Sequence, residues 1–555
     1  MQHAKDLGKS TATYLLAAVI GVAFFLITYP NPIDFLLGNG VYFEVGDTPQ
    51  HVAGWLSYAK DAWRWPLLTT QLIAPPEGSH IALTDSIPLA ALLFKPLAPF
   101  LWENFNYFGL WHLVTKIIQA TGAVFLIRSL GHKSLVAGLF AAALALMSPS
   151  MLVRLQHTAL MTHGVLLFAL GLYFRAVITN WSLRKLCAYF GLAILAALLV
   201  HPYLVAMVFP LFLAASWDRW GGYRGWRQTL ATVAIVSIVA GIPAVLLGYG
   251  SAASSGASGG YIFYSMNLLS PLCGGQLSPC RYVDATGGQY EGFNYLGFGY
   301  LLIIVLALVL AVPKFSVMAT LTRRHLGLIG ILVGLNLYAL SGHIFLGERQ
   351  LTAFEYPFPF NTLSYVFRAS GRFFWVVGYA ALFLSLALVL RQKRMIYLMV
   401  LPVALALQWY ETAPLRDDTR RMLTADAPFD YSGWTQLRGR VSRIDVSPEY
   451  GCASDIENMR YVYFHTVAAR LGVPINTVYQ ARQSSICSPR TDIATELEPG
   501  VLRVNLAPSA ADLASPYLRA SLANGECFQW RAWHGLVMCL PGSDQADWAA
   551  LNIAQ

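Results

Sequence analysis

The stretch TATYLLAAVIGVAFFLITY, residues 11–29, has no charged side chain. A helix of about 20 apolar residues is long enough to cross a bilayer, and similar stretches recur along most of the chain. The 555 residues are 56% hydrophobic and 12% charged, with a mean hydropathy of +0.51, whereas soluble proteins average about 25% charged residues. The sequence therefore predicts a mainly α polytopic membrane protein.

Eleven apolar segments are predicted to span the membrane, each composed mainly of Leu, Ala, Val, Ile and Phe. They are 11–29, 107–128, 134–149, 159–178, 186–200, 202–216, 229–248, 297–312, 326–341, 373–390 and 395–410. A further apolar stretch, 86–102, contains three prolines and Lys95. It is predicted to be a juxtamembrane or re-entrant helix on the outer face.

The distribution of charge predicts the orientation. Residues 1–410 contain 25 Lys+Arg and 13 Asp+Glu, and residues 411–555 contain 13 Arg, no Lys and 16 Asp+Glu. With the N-terminus inside, the inner loops hold 16 of those 25 cations and only two acids, Asp6 and Asp218. The positive-inside rule therefore predicts a cytoplasmic N-terminus and an external C-terminal domain. The basic pI of about 9.1 follows from this topology and does not indicate nucleic-acid binding.

Two domains are predicted, a transmembrane domain over 1–410 and a small external α/β domain over 411–555. In the second, RGRVSRIDVSPEYG, VPINTVYQ and GVLRVNLA are predicted strands, NMRYVYFHTVAARLG a helix, and CFQWRAWHGLVMCLP a hairpin. It has no nucleophile elbow, phosphate loop or zinc pattern, which favours acceptor binding or scaffolding over catalysis. The Gly/Ser-rich stretch 249–260 has the composition of a flexible loop.

Six of the seven cysteines fall outside the membrane in this topology, where an oxidising compartment favours disulfides. Cys273–Cys280 is the best local pair. Cys527–Cys539 and Cys452–Cys487 are plausible, although spacing alone leaves connectivity open and buried free thiols are the alternative.

The segment after the first span concentrates polar residues beside the membrane. GDTPQH supplies Asp47, Gln50 and His51, and TDSIPL supplies Asp85. The two carboxylates bracket an amphipathic aromatic helix predicted to lie at the membrane interface. Aspartate is a common general base, so Asp47 and Asp85 are the candidate catalytic residues, with Gln50 and His51 as candidate substrate ligands. Each aspartate could instead cap the helix that follows it.

Ionisable residues at membrane depth are costly and are functional candidates by default. Cations among them would stabilise a phosphate leaving group. The remaining candidate substrate-binding residues are Lys116, Arg154, His157, His163, Arg368 and Arg372, together with Glu355 in the Pro-rich segment FEYPFPF.

Alternatives remain for these residues. Arg368 and Arg372 are four apart, as on one helical face, and could bind lipid headgroups instead of a substrate phosphate. Lys116 could snorkel toward the interface. His157 and His163 are six apart, which is not an i, i+4 ligand spacing, so no pattern supports a divalent metal and no motif requires a cofactor.

The arrangement resembles the GT-C superfamily of polytopic glycosyltransferases. These enzymes have an acidic motif in the first external loop, then juxtamembrane helices, and often an external C-terminal domain. Here GDTPQH stands at the position of the loop acid, TDSIPL where a Pro-containing juxtamembrane helix resumes, and RASGRF in a late loop. The patterns GD-x-x-QH and R-x-S-G-R-F are similar to those of bacterial members, and the layout matches over 1–410. The sequence lacks an Asp-x-Asp signature, which argues against dependence on a metal ion, and an oligosaccharyltransferase-like WWDYG motif, which argues against protein N-glycosylation.

The resemblance implies inverting transfer of a hexosyl or pentosyl group from a polyprenyl-phosphate donor to a cell-envelope glycan or lipid acceptor. Asp47 would deprotonate the acceptor hydroxyl, and polyprenyl phosphate would leave toward Arg368 or Arg372. It also implies a multi-pass protein of the bacterial inner membrane, with the C-terminal domain in the periplasm.

Other functions are compatible with the sequence. A transporter or flippase of a lipid-linked sugar would use Lys116 and the histidines, although no internal repeat of the kind common in transporters is evident. An oligosaccharide ligase or polymerase with a diphosphate-linked donor would use arginines and a histidine, with less need for Asp47. A non-catalytic assembly protein would need neither the acids nor the arginines at the membrane edge.

Overall fold

The computed structural model describes residues 2–250, 260–314, 320, 322–358, 360–392, 394–453, 456–480, 487, 498–533 and 535–551. Residues 251–259, most of the Gly/Ser-rich stretch, lie outside this description. Over the described residues the protein is mainly helical, with short strands in loops and a small C-terminal sheet. The prediction of a mainly α protein with a small C-terminal α/β region is confirmed.

Helices occupy most of the predicted spans and also occur in the outer segments. In chain order they are α1 (Gln2–Thr28), α2 (Pro32–Leu36), α3 (Thr48–Lys60), α4 (Pro88–Phe94), α5 (Phe108–Ser129), α6 (Leu135–Leu146), α7 (Pro149–Leu152), α8 (Gly164–Ile178), α9 (Leu183–Val200), α10 (Pro202–Arg219), α11 (Trp226–Leu246), α12 (Phe298–Ala311), α13 (Leu326–Leu340), α14 (Phe360–Val366), α15 (Phe374–Leu390), α16 (Met395–Glu411), α17 (Ala413–Leu423), α18 (Asn458–Leu471), α19 (Ala510–Ala514), α20 (Pro516–Ala523) and α21 (Gln545–Ala549).

The strands are short and form two isolated hairpins and one four-stranded sheet. They are β1 (Thr69–Thr70), β2 (Ser79–His80), β3 (Phe345–Leu346), β4 (Arg349–Gln350), β5 (Arg443–Ser447), β6 (Val501–Asn505), β7 (Cys527–Trp530) and β8 (Leu536–Cys539).

Six helical segments in the described part of the chain are long and apolar enough to cross a membrane, as expected of a multi-pass membrane protein. They are Ser10–Thr28, Phe108–Ser129, Leu183–Val200, Gly222–Leu246, Ser370–Leu390 and Tyr397–Leu423.

The predicted count of eleven spans is not confirmed, although each predicted span contains a helix. Four of these helices, α6, α8, α12 and α13, have only 12 to 15 residues. At 1.5 Å per residue they are about 18–22 Å long, shorter than the hydrocarbon core of about 30 Å. The remaining helix, α10, ends in the charged pair Asp218–Arg219.

The described contacts group into two compact units. Unit 1 comprises Met1–Ile33, Gly109–Pro243 and Ser258–Leu423, and unit 2 comprises Asp34–Phe108, Ala244–Ala257 and Thr424–Gln555. The first external loop thus belongs to the same compact unit as the C-terminal region. The functional division at residue 410 stays a prediction.

Small residues allow close helix packing in unit 1. A Cβ added at Gly21 of α1 would lie 2.8 Å from the backbone oxygen of Lys116 in α5, and one at Gly164 of α8 would lie 2.5 Å from the backbone of Ile118. Glycine at such contacts lets the helix backbones approach closely, which favours packing inside a bilayer. An apolar core that includes Phe24 and Met151 lies beside these contacts.

In unit 2, the C-terminal sheet has the strand order β5-β6-β8-β7. β5 and β6 are parallel, with α18 in the crossover between them, and β6–β8 and β8–β7 are antiparallel. This agrees with the predicted strand–helix–strand pattern and closing hairpin. VPINTVYQ is not a strand, because within it Ile475 makes only isolated bridges, to Ile73 and Ile444. The prediction of a strand there was wrong.

The first loop packs against the C-terminal region inside unit 2. α3 lies against α18, and the Ile73–Ile475 bridge joins the two backbones. Trp55 and Tyr58 of α3 are 1% and 0% exposed, so the prediction that they lie at the membrane interface was wrong. The aromatic side chains of α3 are therefore buried inside the protein. Trp63 and Trp65, just after the helix, are exposed.

Three disulfides are present: Cys273–Cys280, Cys452–Cys487 and Cys527–Cys539. Cys187, in α9, is free. The last pair also joins neighbouring strands, because Cys527 of β7 lies opposite Cys539 of β8.

Candidate functional site

Asp47 lies at the N-terminus of α3, where Pro49 stands in the first turn. Proline suits this position, because it fixes φ near the helical value and its missing N–H has no partner there in any helix. The half-buried Asp47 side chain makes no capping hydrogen bond to the helix. Its role as a helix cap is therefore not observed, and the carboxylate lies at the positive end of the helix dipole.

Asp85 lies in a strained turn that packs on α3. Both Asp85 (φ 52°) and Ile87 (φ 47°) adopt the left-handed conformation, which is an outlier for a β-branched residue. Asp85 does not cap α4, since Ile87 holds the N-cap position. Strain of this kind costs about 1–3 kcal/mol and clusters at functional sites.

The turn is tied to His51, one helical turn after Asp47. The Ser86 hydroxyl donates to the backbone oxygen of His51 at 2.9 Å, and Tyr107 donates to the backbone oxygen of Ser86. Nε2 of the buried His51 lies 3.9 Å from Oδ2 of Asp85. The two groups are therefore within ion-pair distance, although 3.9 Å is too long for a direct hydrogen bond.

Gly54 makes this packing possible, because a side chain at this position would clash with the turn. In Gly54→Ala the new Cβ would lie 2.1 Å from Thr84 Oγ1 and 2.5 Å from Ser86 Oγ. We expect the free energy of unfolding to fall by about 1–3 kcal/mol, the usual cost of overpacking, measured by thermal unfolding in detergent. Gly330→Ala in α13 is the control, because nothing lies within 4 Å of its added methyl group. Equal melting temperatures would contradict the close contact.

Gln50, predicted as a substrate ligand, is buried and donates its amide to the backbone oxygen of Tyr479 at 3.0 Å. Glu44 pairs with Arg470 at 2.7 Å. Residues on both sides of Asp47 therefore hold the C-terminal region against the loop. The amide of Gln50 is thus engaged in a contact within the protein.

The main charged cluster of unit 1 surrounds Glu291, a residue that sequence reasoning missed. Arg154 donates to Glu291 Oε2, and Arg372 donates to both carboxylate oxygens at 3.0 and 2.8 Å. His157 Nε2 lies 3.3 Å from Oε1. Three of the predicted substrate-binding residues thus converge on one buried carboxylate. Although burial opposes ionisation, the two guanidinium groups hold the pKa of Glu291 well below its usual value.

Two glycines bring the segments of this cluster together. A Cβ at Gly371 would lie 2.4 Å from Cα of Gly292, and one at Gly292 would lie 2.1 Å from the Ser265 oxygen. Asn294 donates to the Gly371 oxygen at 2.8 Å. The glycines of RASGRF and YEGF are therefore needed for close backbone approach.

Arg368 and Arg372 do not lie on one helical face, so that prediction was wrong. Arg368 lies between α14 and a 3₁₀ turn at Ser370–Phe373 that contains Arg372. The half-buried Arg368 guanidinium lies 5.2 Å from the Tyr264 ring centre. Among the described residues it has no ion-pair partner, whereas Arg372 is neutralised by Glu291.

The other predicted ligands of unit 1 are separate from this cluster. His163 Nδ1 is hydrogen-bonded to Tyr379 at 2.9 Å, and Tyr379 accepts from Gln119 at 2.9 Å. Lys116 is fully buried in α5, and its Nζ has no hydrogen-bond partner among the described residues. Glu355 is exposed in the loop before α14.

The structure gives the two histidines different partners, Glu291 for His157 and Tyr379 for His163. Within unit 2, His51 and Asp85 offer one nitrogen and one carboxylate oxygen.

A family profile described as "Domain of unknown function (DUF6311)" matches residues 18–413. The chain belongs to the DUF6311 family. A second profile, the DUF6311 C-terminal domain, matches residues 433–523. Together they cover the predicted spans except the start of the first, the residues of both clusters, and strands β5 and β6 of the C-terminal sheet of this DUF6311 protein. No curated protein matches the sequence.

Two crystal structures of the Archaeoglobus fulgidus oligosaccharyltransferase are similar to the DUF6311 chain. One is the apo form, and the other is tethered with an acceptor peptide containing the NVT sequon via a disulfide bond. Each has 14% identity and a TM-score of 0.44, and the match covers 84% of this chain and 64% of the oligosaccharyltransferase. This chain thus spans less than two thirds of that enzyme's length.

Proposed function

We propose that this protein is an inverting glycosyltransferase of the bacterial inner membrane, with its C-terminal domain in the periplasm. The observation that carries the proposal is the acid arrangement of unit 2. Asp47 lies at a helix start without capping it, one turn before His51, which lies 3.9 Å from the carboxylate of the strained Asp85 turn. A carboxylate arranged in this way suits a general base, and the resemblance of the first loop to GT-C enzymes suggests the reaction.

In the proposed reaction Asp47 removes the proton of an acceptor hydroxyl as its oxygen bonds to the anomeric carbon of the sugar. The bond from that carbon to the donor phosphate oxygen breaks, and polyprenyl phosphate leaves with the electron pair. A single displacement inverts the anomeric configuration. Asp85 is proposed to act through His51, whose imidazole lies within ion-pair distance of its carboxylate. The acceptor is a glycan or lipid of the cell envelope.

Arg368 is the cation proposed for the leaving phosphate. Arg372 and Arg154 already form ion pairs with Glu291, so the Glu291 carboxylate largely neutralises their positive charge. The unpaired guanidinium of Arg368 has donors available for a charge-assisted hydrogen bond. Arg154, Arg372, His157 and Glu291 are proposed to support this region rather than to bind phosphate directly.

The test is sugar transfer by the full-length protein reconstituted in lipid. Radiolabelled polyprenyl-phosphate sugars are supplied one at a time with membrane extract as acceptor source, and polyprenyl-diphosphate sugars in parallel. We expect label to enter the extract with one polyprenyl phosphate released per sugar transferred. Transfer only from diphosphate donors would favour the ligase or polymerase function. Movement of a lipid-linked sugar across the bilayer without transfer would favour a flippase, for which the buried Lys116 would be the first residue to change.

A further inference from the structure

The first loop contains a cavity that the proposed reaction does not use. It has a volume of about 380 Å³ and is formed by the end of α3, the segment after it and residues 95–105. This volume lies within the range of small-ligand sites, about 300–1,000 Å³. The lining includes Lys60, Lys95 and Asn104, and the indole rings of Trp63 and Trp102.

Lys95 is the unusual residue of this cavity. It is 4% exposed and has no carboxylate within ion-pair distance among the described residues. Its Nζ donates to the Ala62 backbone oxygen at 3.2 Å and lies 3.7 Å from the Tyr58 ring centre and 4.8 Å from that of Trp63. The rings compensate part of the cost of burying a charge. A buried ammonium without an anion nevertheless favours binding of one.

The nearby carboxylates do not supply that anion. Asp61 accepts hydrogen bonds from Arg64 and from two backbone N–H groups, and Glu103 is paired with Arg438. Lys60 reaches the same cavity and donates to the Arg470 backbone oxygen at 2.7 Å. The two lysines that line the cavity are therefore available to pair with a bound anion. The cavity also contains an unsatisfied hydrogen-bond acceptor, because Asn104 Oδ1 is buried with no hydrogen-bond partner within the described residues.

The surface beside the cavity is apolar. Leu93, Leu97 and Phe100 are 62%, 49% and 85% exposed, and Trp102 is 47% exposed. Leu93 lies on α4, Leu97 and Phe100 lie on the 3₁₀ helix Lys95–Phe100, which begins with Lys95 itself, and Trp102 follows that helix. Exposed leucine, phenylalanine and tryptophan beside lysines are typical of segments that lie in the headgroup region of a bilayer.

We propose that this cavity binds the headgroup of an anionic, hydroxyl-bearing phospholipid, with its phosphate on Lys95 and Lys60 and its hydroxyl on Asn104. The apolar side chains of 93–102 then contact the acyl chains of the surrounding lipid. The unpaired cation requires the phosphate, the unpaired acceptor requires the hydroxyl, and the apolar surface selects a lipid over a soluble phosphate compound. This inference does not depend on the proposed glycosyl transfer.

The test compares lipids by thermal unfolding of the purified full-length protein in detergent. We expect phosphatidylglycerol to raise the melting temperature with saturation, and phosphatidylcholine to have no comparable effect. Soluble glycerol 3-phosphate and inorganic phosphate are tested up to millimolar concentration. The same saturation with either soluble anion would overturn the assignment to a lipid, as would equal responses to the two lipids.

Lys95→Met is the decisive variant. It removes a buried charge while keeping the volume of the side chain, so we expect the lipid-free protein to stay folded with an unchanged or higher melting temperature. Its affinity for phosphatidylglycerol is expected to fall by about tenfold or more. Lys133→Met, which changes an exposed lysine outside the cavity, is the control and keeps the lipid response. A Lys95→Met protein with wild-type lipid affinity would overturn the proposal.

The pH dependence provides an independent readout. Burial lowers the pKa of Lys60, which lines the same cavity, to about 8. It also lowers the pKa of Lys95 to about 8, with Asp61 opposing and Arg64 assisting the shift. The ammonium is therefore present below about pH 8 and is lost above it. We expect phosphatidylglycerol to bind more weakly at pH 9.5 than at pH 7, by up to about tenfold per pH unit. The difference between wild type and Lys95→Met should shrink over the same range, and a constant difference would contradict the role of the ammonium.

Discussion

Glu291→Gln is expected to lower the free energy of unfolding by about 3–5 kcal/mol, the usual cost of breaking a buried ion pair from one side. The substitution removes the negative charge that Arg154 and Arg372 share. Two buried guanidinium groups would then face a neutral amide. Since folded proteins are stable by only about 5–15 kcal/mol, a large fraction of the protein should be lost during purification. The measurement is the melting temperature in detergent, with size-exclusion chromatography as a check on aggregation.

The control variants use the fact that one carboxylate has several partners, whereas each arginine has only that carboxylate within the cluster. Arg372→Gln is expected to cost less than Glu291→Gln, because Glu291 keeps Arg154 and His157 as partners. Glu355→Gln, at an exposed loop position, should be neutral within about 0.5 kcal/mol. If Glu291→Gln unfolds no earlier than Glu355→Gln, the carboxylate is not essential for balancing the cluster.

The pH dependence of the wild-type stability follows from the same ion pairs of Glu291. The pKa of Glu291 is lowered below its usual value of 4.5, so ionised Glu291 stabilises the fold fully above about pH 4.5. This contribution is lost progressively as the pH falls below that value. Between pH 7 and pH 4 the melting temperature of Glu291→Gln is expected to change less than that of the wild type.

Asp47→Asn is expected to reduce sugar transfer by about 10²–10⁴-fold, the range that general-base catalysis contributes, while leaving the melting temperature unchanged. Stability should be kept because asparagine has the size and shape of aspartate and is as good as aspartate at the start of a helix. Rates are measured with the donor identified in the transfer assay, at saturating donor and acceptor. A lowered melting temperature would assign the carboxylate a structural role.

Two further variants make the result specific. Asp34→Asn, at an exposed position of α2 in the same loop, should transfer sugar at the wild-type rate. Asp85→Asn should fold, because asparagine tolerates the left-handed conformation, and should lose less activity than Asp47→Asn if Asp85 acts through His51. If Asp47→Asn is active and Asp85→Asn is not, the base is Asp85 and the assignment to Asp47 is wrong.

The sequence indicated the candidate cluster of unit 1 only in part. Arg154, His157 and Arg372 stood out because ionisable residues at membrane depth are rare. Two of them are arginines, and their burial requires an anion. Glu291 was the residue to look for, but the Gly/Tyr-rich segment around it has no periodicity that predicts burial. The ion pairs join residues 137 and 81 positions apart, and local sequence does not define such pairs.

Predictions for the first loop failed for a related reason. The aromatic stripe of α3 fits a membrane interface and a protein core equally well, because amphipathicity specifies an apolar neighbour without identifying it. The neighbour is α18, about 400 residues further along the chain. Gln50 was likewise predicted to bind substrate through its polar side chain. Only the structure shows that its amide donates to the backbone oxygen of Tyr479. The positions of Asp47 and Asp85 in the loop were predicted, whereas the turn that holds Asp85 was not.

The sequence by itself determined the membrane class, the position of each apolar helix, the main helix and strands of the C-terminal region and the cysteines available for pairing. These depend on hydropathy, helix-stop signals and spacing, which are local properties. The tertiary structure decided the lengths of the short helices, the partner of α3, the convergence of two arginines and a histidine on Glu291, and the unpaired Lys95. Each of these depends on which distant segment fills the space beside a residue. Packing and charge compensation in a folded chain set that choice, and a local sequence pattern does not.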